Sequence, residues 1–245
     1  MPQQSDALGQ FRARLLAEWL PAFANDSKRG YGVEGFREDS ICISEFDAVN
    51  FLRAMDGGLV EDLGGGRYRC AQSPANEQIF WEGPKRDSPR SITLWLEPVI
   101  TIGTLARLAY DLGWPAERLG MQTIDYAFDL AAYREGGQQG LVIACEVKKT
   151  QAEVDHLISD LQFHREAPEA GPRSSKPRHL NSYRKWLSMR RCQPSLLWVV
   201  GPGAYECTFE LRHSVDSIGL NQVPLEALKY RAMWSGRWGQ GMRRS

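Results

Sequence analysis

The stretch GLVIACEVKK, residues 140–149, sets an apolar run directly before a glutamate and two lysines. A run this apolar is typical of a strand buried on both faces of a sheet. Residues i and i+2 of a strand point to the same face, so we expect Glu146 and Lys148 to point together while Val147 points away. The end of this central strand therefore carries either a catalytic pair or an ordinary solvated ion pair.

The preceding stretch IDYAFDLAAY, residues 124–133, predicts the antiparallel partner of that strand. A Gly-Gly pair between the two stretches favours a tight turn, because glycine adopts positive φ at little cost. Asp125 and Asp129 are expected to share one face of the partner strand. The hairpin can lay either aspartate beside Glu146, and the pattern leaves both registers open.

Two carboxylates and an amine at one end of a buried sheet suit phosphodiester hydrolysis. The carboxylates bind a hard cation, Mg²⁺ or Mn²⁺, and leave positions open for water and a phosphate oxygen. Such a cation lowers the pKa of bound water and neutralises charge that builds up on the phosphoryl group. The amine of Lys148 would orient the attacking water and stabilise the same charge. Alternatively, Glu146 and Lys148 pair at the surface with little energetic effect.

The combination IDYAF…GLVIACEVKK resembles the PD-(D/E)XK nuclease superfamily, in which an aspartate on one strand precedes an apolar strand ending in Glu-x-Lys. The stretch LEPVITIGTLARLAYDLGWP, residues 96–115, looks like the first helix of that core. The chain is most similar to the nuclease domain of type I restriction enzymes, and the resemblance covers residues 97–165. Neither aspartate follows a proline, which departs from the pattern in the family's name. Glu-x-Lys alone is a common triplet, so the specificity lies in the combination.

The resemblance implies a metal-dependent nuclease with a restriction endonuclease-like fold. The residues that it assigns to catalysis are Asp125, Glu146, Lys148, Asp129, Glu97 and Gln162. Mg²⁺ or Mn²⁺ would be held by Glu146 with Asp125 or Asp129, and Glu97 would complete the ligand shell. Asp125 is favoured, because Ile-Asp-Tyr-Ala-Phe matches the family's aspartate-then-aromatic pattern better than Phe-Asp-Leu.

The implied activity is hydrolysis of DNA by an endonuclease of bacterial defence or DNA repair, with RNA left open as a substrate. The chain contains no G-x-x-x-x-G-K-S/T motif and so brings no P-loop motor of its own. A protein partner that supplies specificity or a motor is compatible with this, as is a dimer. Two other function classes stay open: a non-catalytic nucleic-acid-binding or assembly subunit that retains the nuclease fold, and a winged-helix-type DNA-binding regulator.

Helices and strands alternate in the second part of the chain, which predicts an α/β (α+β) fold with a mixed central β-sheet flanked by helices. The predicted helices cover residues 98–113, 150–165 and 178–192, and the predicted strands cover 124–133, 140–149, 194–200 and 205–211. Thr150 and Glu153 form a capping-box pattern at the start of the second of these helices.

A soft boundary near residue 90 divides the chain into two predicted regions. Residues 1–90 are expected to form a helical and hairpin region, and residues 91–245 the nuclease-like core with a basic loop and a tail. The boundary follows the polar stretch PKRDSP, which separates strands predicted over residues 77–83 and 91–96.

The N-terminal region combines helical periodicity with a glycine-rich hairpin pattern. Apolar spacing predicts a helix over residues 6–24, and Ser44 is the expected N-cap of a second helix over 44–56. GLVEDLGGGRYRC, residues 58–70, is typical of a hairpin that turns at its glycines. Residues 44–70 together resemble the last helix and wing of a winged-helix DNA-binding domain; a hairpin packed on the main sheet is the alternative.

Residues 165–191 hold a local excess of positive charge in a chain whose 30 basic and 30 acidic residues cancel. A Pro-, Ser- and Gly-rich stretch, residues 168–179, predicts a loop within this segment. A basic loop after the helix that follows the central strand suits contact with phosphates, and a solvated helix face is the alternative. The residues expected to bind nucleic acid are Lys149, Arg173, Lys176, Arg178, Arg184, Lys185, Arg190 and Arg191. Near the C-terminus, Trp234 and Trp238 alternate with arginines and are expected either to stack on unpaired bases or to dock as core residues.

The remaining composition predicts a cytoplasmic protein without a membrane partner. The five cysteines are an odd number without CxxC spacing, which favours reduced thiols over disulfides or a zinc site. No apolar stretch reaches the ~18 residues needed to span a bilayer. The first residues lack the basic head and apolar segment of a signal peptide.

Overall fold

The computed structural model describes residues 6–25, 29, 32–135, 137, 140–166, 170–215 and 217–231. The α-helices are α1 (Ala7–Arg14), α2 (Leu20–Ala24), α3 (Glu45–Asp56), α4 (Leu96–Ala106), α5 (Gln151–Glu166) and α6 (Pro177–Cys192). The strands are β1 (Glu61–Asp62), β2 (Arg67–Arg69), β3 (Glu77–Gln78), β4 (Phe80–Glu82), β5 (Ile92–Leu94), β6 (Leu119–Met121), β7 (Leu130–Tyr133), β8 (Leu141–Val147), β9 (Leu196–Val200), β10 (Glu206–His213) and β11 (Ile218–Val223). Trp234 and Trp238 lie outside the described residues.

The centre of the molecule is a six-stranded sheet with the strand order β11-β10-β9-β8-β7-β6. Strands β8 and β9 pair in parallel, and the other neighbouring strands of this sheet pair antiparallel. A parallel pair needs a crossover connection, which α5 and α6 supply. The predicted mixed sheet flanked by helices is therefore confirmed.

Helices cover both faces of this sheet. One face packs against α5 and α6 through a cluster that includes Ala144, Leu161 and Trp186. The opposite face packs against α4, with α3 packed on α4 and α1 on α3, in a second cluster that includes Cys145 and Trp198. Every residue of β8 is buried, as its apolar run predicts for the central strand. Within the residues that the structure describes, no helix is both long and apolar enough to cross a membrane.

The strand predicted over residues 124–133 is wrong in its first part, because β7 consists of only the last four of these residues. The part before β7 is a tight turn in which the Thr123 N–H donates to the Phe128 carbonyl at 2.9 Å. The Thr123 hydroxyl also accepts hydrogen bonds from the Ala127 and Phe128 amides, both at 3.1 Å. Tyr126 has a φ of 55°, a left-handed conformation that an extended strand does not contain. Side-chain hydrogen bonding to the backbone here replaces the strand ladder.

The helices match their predicted ranges within a few residues, with two departures from regular α-helix. A π-helical turn, Leu15–Trp19, joins α1 to α2, so the helix predicted over residues 6–24 is continuous but irregular. A second π-helical turn, Arg107–Asp111, extends α4. The Ser44 hydroxyl accepts a hydrogen bond from the Asp47 amide at 3.1 Å, which confirms the predicted N-cap of α3.

The N-terminal region shares its core with the central sheet. The same apolar cluster contains Phe51 and Ile79 from one side of residue 90 and Ile102 and Trp198 from the other. Helices α3 and α4 approach closely at Gly103. A Cβ built on this glycine would lie only 3.2 Å from the Cβ of Asn50.

The predicted hairpin after α3 is present as β1 and β2, which pair antiparallel. With β3 they form a small separate sheet rather than part of the six-stranded one. Helix α3 itself is largely buried between its neighbours, and the positions that it exposes are Glu45, Phe46 and Asp56. An exposed surface with two acidic residues is not suited to insertion into a DNA groove.

Candidate active site

The buried carboxylate of Glu146 lies at the end of β8 and contacts two amines. Its Oε1 atom accepts a hydrogen bond from Lys148 Nζ, and its Oε2 atom accepts one from Lys185 Nζ at 2.7 Å. Lys185 belongs to α6 and donates a further hydrogen bond to the carbonyl of Ala127. An unpaired carboxylate at this depth would be strongly unfavourable, and the two ammonium groups supply its partners.

Asp129 lies beside Glu146 on the neighbouring strand. Leu130 pairs with Cys145 in the β7–β8 ladder, so Asp129 follows the same register opposite Glu146. Its Oδ2 atom accepts a hydrogen bond from the Val147 amide at 2.8 Å. Burial and the charge of Glu146 raise the pKa of Asp129 well above its ordinary value, and the nearby lysines offset this only in part. The two carboxylates therefore form an electrostatically strained pair that a cation would relieve.

Lys148 connects this pair to the start of α4. Burial lowers the pKa of Lys148, but the charges of Glu146 and Asp129 outweigh burial, so the pKa lies above its ordinary value. Its Nζ atom also lies 3.9 Å from Oε1 of Glu97, in the first turn of α4. Lys148 is therefore a cation at neutral pH, suited to holding a negative oxygen rather than to accepting a proton.

Asp125 does not join this cluster. It lies in the turn before β7, where its carboxylate accepts a hydrogen bond from the Thr123 hydroxyl at 2.8 Å and another from Arg191. Burial raises the pKa of Asp125, but the polar groups around its carboxylate, which include the Thr123 hydroxyl, the Ala127 amide and Arg191, outweigh burial and lower it. The described contacts of Asp125 are with the turn and α6, and none is with Glu146. The assumption that both aspartates share a strand face is wrong, because the chain turns between them.

A cavity of about 270 Å³ opens between α4, α5, α6 and the end of β8. Glu97, Lys148 and Lys185 line one part of it, and His156 and Asp160 of α5 line another. Gln162 is exposed and is not among the lining residues, because α5 presents a different face to the cavity. The structure thus brings together four of the six residues that the sequence assigned to catalysis and leaves out Asp125 and Gln162.

The oxygen ligands of the cluster fit a hard divalent cation in chemical type. Mg²⁺ in proteins is commonly bound through one or two carboxylates and keeps several waters, so Asp129 and Glu146 suffice as its protein ligands. In the described parts of the chain, however, no group of three or more His, Cys, Asp or Glu side chains is arranged to hold a metal. A cation at this position would therefore have to displace at least one ammonium group from Glu146.

Lys185 is the site residue whose role the sequence pattern did not indicate. We expected it among the phosphate-binding surface residues, but its side chain is 5% exposed and bonded to Glu146. Ser182, Lys185 and Met189 follow one another at helical spacing on the buried stripe of α6. This periodicity is present in the sequence and distinguishes Lys185 from its exposed neighbour Arg184.

A second buried carboxylate, Asp160, lies at the far end of the cavity. It accepts a hydrogen bond from the Ser182 hydroxyl at 3.1 Å, and His179 Nδ1 lies 3.2 Å from its Oδ2 atom. Arg173 and Arg178 approach it at 3.4 and 3.9 Å. These two arginines are thereby held at the rim of the cavity.

The remaining basic residues of the predicted nucleic-acid-binding set lie at the surface. Those that are exposed or partly exposed are Lys149, Lys176, Arg184, Arg190 and Arg191. Lys149 lies 3.8 Å from Glu153, an exposed pair of small energetic weight. Helix α6 contributes most of the others and contains no acidic residue.

Comparison of the chain with protein-family models, with curated proteins and with solved structures finds no match. The chemistry of the site is therefore argued from its own side chains, and the PD-(D/E)XK-like pattern of β7 and β8 remains a resemblance in sequence.

Proposed function

We propose that this chain is a divalent-metal-dependent nuclease that hydrolyses phosphodiester bonds of DNA on a restriction endonuclease-like core. The observation that carries the proposal is the meeting of Asp129, Glu146 and Lys148 at the end of the buried central strand, with Glu97 beside Lys148. Charged groups gathered in a cavity with perturbed pKa values are typical of functional sites, because such an arrangement contributes little to stability.

In this proposal Asp129 and Glu146 hold Mg²⁺ or Mn²⁺. The bound ion would lower the pKa of a water molecule and neutralise charge on the phosphoryl group. Lys185 fixes the orientation of Glu146 from the side of α6. Glu97 keeps the Lys148 ammonium near the cavity, where it can hold the attacking water or a phosphate oxygen.

Lys148 is the ammonium group that would leave Glu146 when a cation binds. Its side chain is 17% exposed, whereas that of Lys185 is 5% exposed. Displacement of Lys148 from the carboxylate would direct its charge towards the substrate.

A second candidate is a non-catalytic nucleic-acid-binding or assembly subunit. It is favoured by the fact that both oxygens of Glu146 contact ammonium groups, and that the described residues include no ready-made group of three metal ligands. Under this alternative the cluster is a buried ion network and α6 alone meets the nucleic acid. Binding of a divalent cation at Glu146 separates the two candidates.

The proposal is tested by incubating the purified protein with supercoiled plasmid and with single-stranded circular DNA, in Mg²⁺, Mn²⁺ or EDTA. We expect cleavage with either metal, none with EDTA, and none in Glu146→Gln, which keeps the shape of the side chain but removes its charge. Intact DNA under all conditions, or equal cleavage by Glu146→Gln, would contradict the nuclease. A role in bacterial defence or DNA repair, and a protein partner that supplies specificity or a motor, are proposed on the resemblance alone.

A further inference from the structure

The turn that precedes β7 presents two large apolar side chains to solvent. Ile124 and Tyr126 are 57% and 54% exposed. Tyr126 also takes a φ of 55°, a conformation uncommon for a bulky residue. An outlier of this kind motivates a search for function, because the surrounding structure has to hold it in place.

The conformation of this turn does not depend on the Tyr126 side chain. The Thr123 hydroxyl holds it from within, accepting hydrogen bonds from the Ala127 and Phe128 amides and donating one to Asp125. In the described part of the chain, the ring and hydroxyl of Tyr126 make no hydrogen bond or ring contact. A rigid turn therefore holds an aromatic ring in solvent without using that ring for its own stability.

Helix α6 places guanidinium groups beside this turn. Arg184 donates a hydrogen bond to the Asp125 carbonyl at 3.0 Å, and Arg191 donates one to the Asp125 carboxylate. Each guanidinium has five N–H donors, so both retain donors for a further ligand. The exposed Leu180 and Leu187 share the same helix face at helical spacing.

This surface is joined to the candidate active site. The carbonyl of Ala127, one residue after Tyr126, accepts a hydrogen bond from Lys185, and Lys185 donates to Glu146 at 2.7 Å. The turn that carries Tyr126 and the Glu146 carboxylate are therefore held by the same lysine side chain.

We propose that Tyr126 and the exposed face of α6 bind an unpaired stretch of nucleic acid, with a base stacked on the Tyr126 ring and phosphates on Arg184 and Arg191. The proposal rests on the nuclease function and names its substrate class as single-stranded or locally unpaired. An exposed aromatic ring can stack on the face of an unpaired base, whereas base faces inside a duplex are already covered.

Charge selects this ligand over an apolar protein partner. Helix α6 carries five arginine and lysine residues and no acidic residue, and four of the five reach its surface or the rim of the cavity. This distribution of positive charge suits a ligand whose negative charge repeats. A single strand of nucleic acid is such a ligand, because phosphates recur along its backbone and its unpaired bases can stack on an aromatic ring.

The test compares binding of a labelled single-stranded oligonucleotide and its duplex by fluorescence anisotropy, in EDTA so that no cleavage occurs. We expect tighter binding of the single strand by the wild-type protein. Tyr126→Ala should weaken that binding about 5- to 100-fold, because one base loses the ring on which it stacks, and should leave duplex binding unchanged. Tyr126→Phe should bind like the wild type, and so should Tyr110→Ala, which removes an exposed tyrosine elsewhere. Equal single-strand affinity of Tyr126→Ala and wild type would overturn the proposal.

Tyr126→Gly distinguishes a binding role from a structural one. Glycine takes positive φ at no steric cost, so this variant should melt at an equal or higher temperature while its single-strand affinity falls. A lower melting temperature together with the reduced affinity would make the tyrosine a structural residue and overturn the proposal.

The two proposals fail separately. Single-strand binding that depends on Tyr126, without cleavage in any metal, would remove the nuclease function and leave the binding surface standing. Metal-dependent cleavage with full single-strand affinity in Tyr126→Ala would do the reverse. If the wild-type protein binds neither oligonucleotide, the proposal of a nucleic-acid-binding surface is overturned. A protein partner at the same face would then be the alternative.

Discussion

At the residue scale, the chemistry depends on one carboxylate, Glu146, with two amines and a second carboxylate around it. The sequence predicted the pairing of Glu146 with Lys148, because the two-residue repeat of a strand is a fixed geometric property. The family pattern favoured Asp125 over Asp129, and the hairpin geometry left the choice open, because that choice depends on where β7 begins. The Thr123 hydroxyl sets that boundary by bonding the backbone of the turn, a local competition that hydrophobic patterning does not reveal.

Lys148 is expected to be required for cleavage but not for folding. Lys148→Ala should reduce cleavage below detection, since the variant loses the positive charge next to the attacking water. The substitution removes one of the two amines paired with the buried Glu146 carboxylate, so the variant should be less stable by up to ~3 kcal/mol, and Lys185 stays paired with that carboxylate. The measurement is plasmid cleavage together with a melting curve. Lys229→Ala, which removes an exposed amine elsewhere on the surface, is the matched control and should cleave normally; full activity in Lys148→Ala would remove the assigned role.

Asp129, rather than Asp125, is expected to be the metal ligand. The sequence pattern favoured Asp125, but the structure sets Asp129 opposite Glu146 and Asp125 against Arg191. Calorimetric titration of Mn²⁺ should therefore show binding to the wild type and to Asp125→Asn, and none to Asp129→Asn, since one carboxylate alone holds the ion weakly. Loss of binding in Asp125→Asn with retention in Asp129→Asn would restore the assignment from the sequence. If neither substitution matters, the cluster is not a metal site.

At the element scale, α6 has two different faces, and only one of them was predictable from charge. The excess of basic residues identified the helix, but the stripe of Ser182, Lys185 and Met189 belongs to the interior. Strands β6 and β11 were not predicted at all. β6 has three residues, one of them glycine, and β11 contains Gly219, Asn221 and Gln222. Both are edge strands whose pairing partners, β7 and β10, decide their conformation, so tertiary pairing outweighs local preference.

The exposed arginines of α6 are expected to carry the salt dependence of nucleic-acid binding. Substitution of Arg184, Arg190 and Arg191 by alanine should weaken binding and reduce the slope of log affinity against log salt by about 0.7–0.9 for each phosphate that the variant no longer neutralises. The measurement is an anisotropy titration over a range of salt concentrations. A triple substitution of the exposed Arg12, Arg37 and Arg69 in the N-terminal region is the matched control. An unchanged slope in the α6 variant would make this face a solvated charge run.

His164, on the side of α5 that packs against α6, is expected to make the protein less stable in acid. Its ring is fully buried near Tyr183 and Trp186, and neither ring nitrogen has a hydrogen-bond partner in the described structure. Burial lowers the pKa of His164 below 6.5; nearby Asp160 opposes this, while Arg173 and His179 add to it.

The lowered pKa means that His164 stays neutral to a lower pH in the folded chain than in the unfolded chain. Below about pH 6.5 the unfolded chain binds the proton more readily than the folded one, so stability is complete above this pH and falls as the solution is acidified. Melting temperatures from pH 8 to pH 5 should fall less steeply in His164→Phe than in the wild type. The exposed His156→Gln on the same helix is the control, and an identical slope in His164→Phe would show that His164 does not titrate in this way.

At the scale of the whole molecule, the sequence divided the chain near residue 90, whereas the apolar core crosses that position. The boundary was inferred from the polar stretch PKRDSP, and such a stretch signals a surface connection whether or not two domains meet there. Which side chains pack across it depends on the close approach of α3 and α4, for which Gly103 leaves the space. Sequence patterning identifies buried faces but does not state which partner each face will have.

The whole chain is therefore expected to unfold as a single cooperative unit. Phe51 and Ile79 pack in the same cluster as Ile102 and Trp198, so unfolding of the N-terminal region would expose apolar surface of α4 and of the central sheet. Calorimetry should show one transition whose calorimetric and van't Hoff enthalpies agree. Gly103→Leu inserts a side chain where a Cβ alone would lie 3.2 Å from the Cβ of Asn50. This variant should lower the temperature of the single transition and should not split it into two. A chain starting at residue 91 should fail to give a cooperative transition, because the face of α4 that packs on α3 would meet water. Two separate transitions in the full-length protein, or a stably folded fragment, would instead mean that the N-terminal region is an independent domain docked on the sheet.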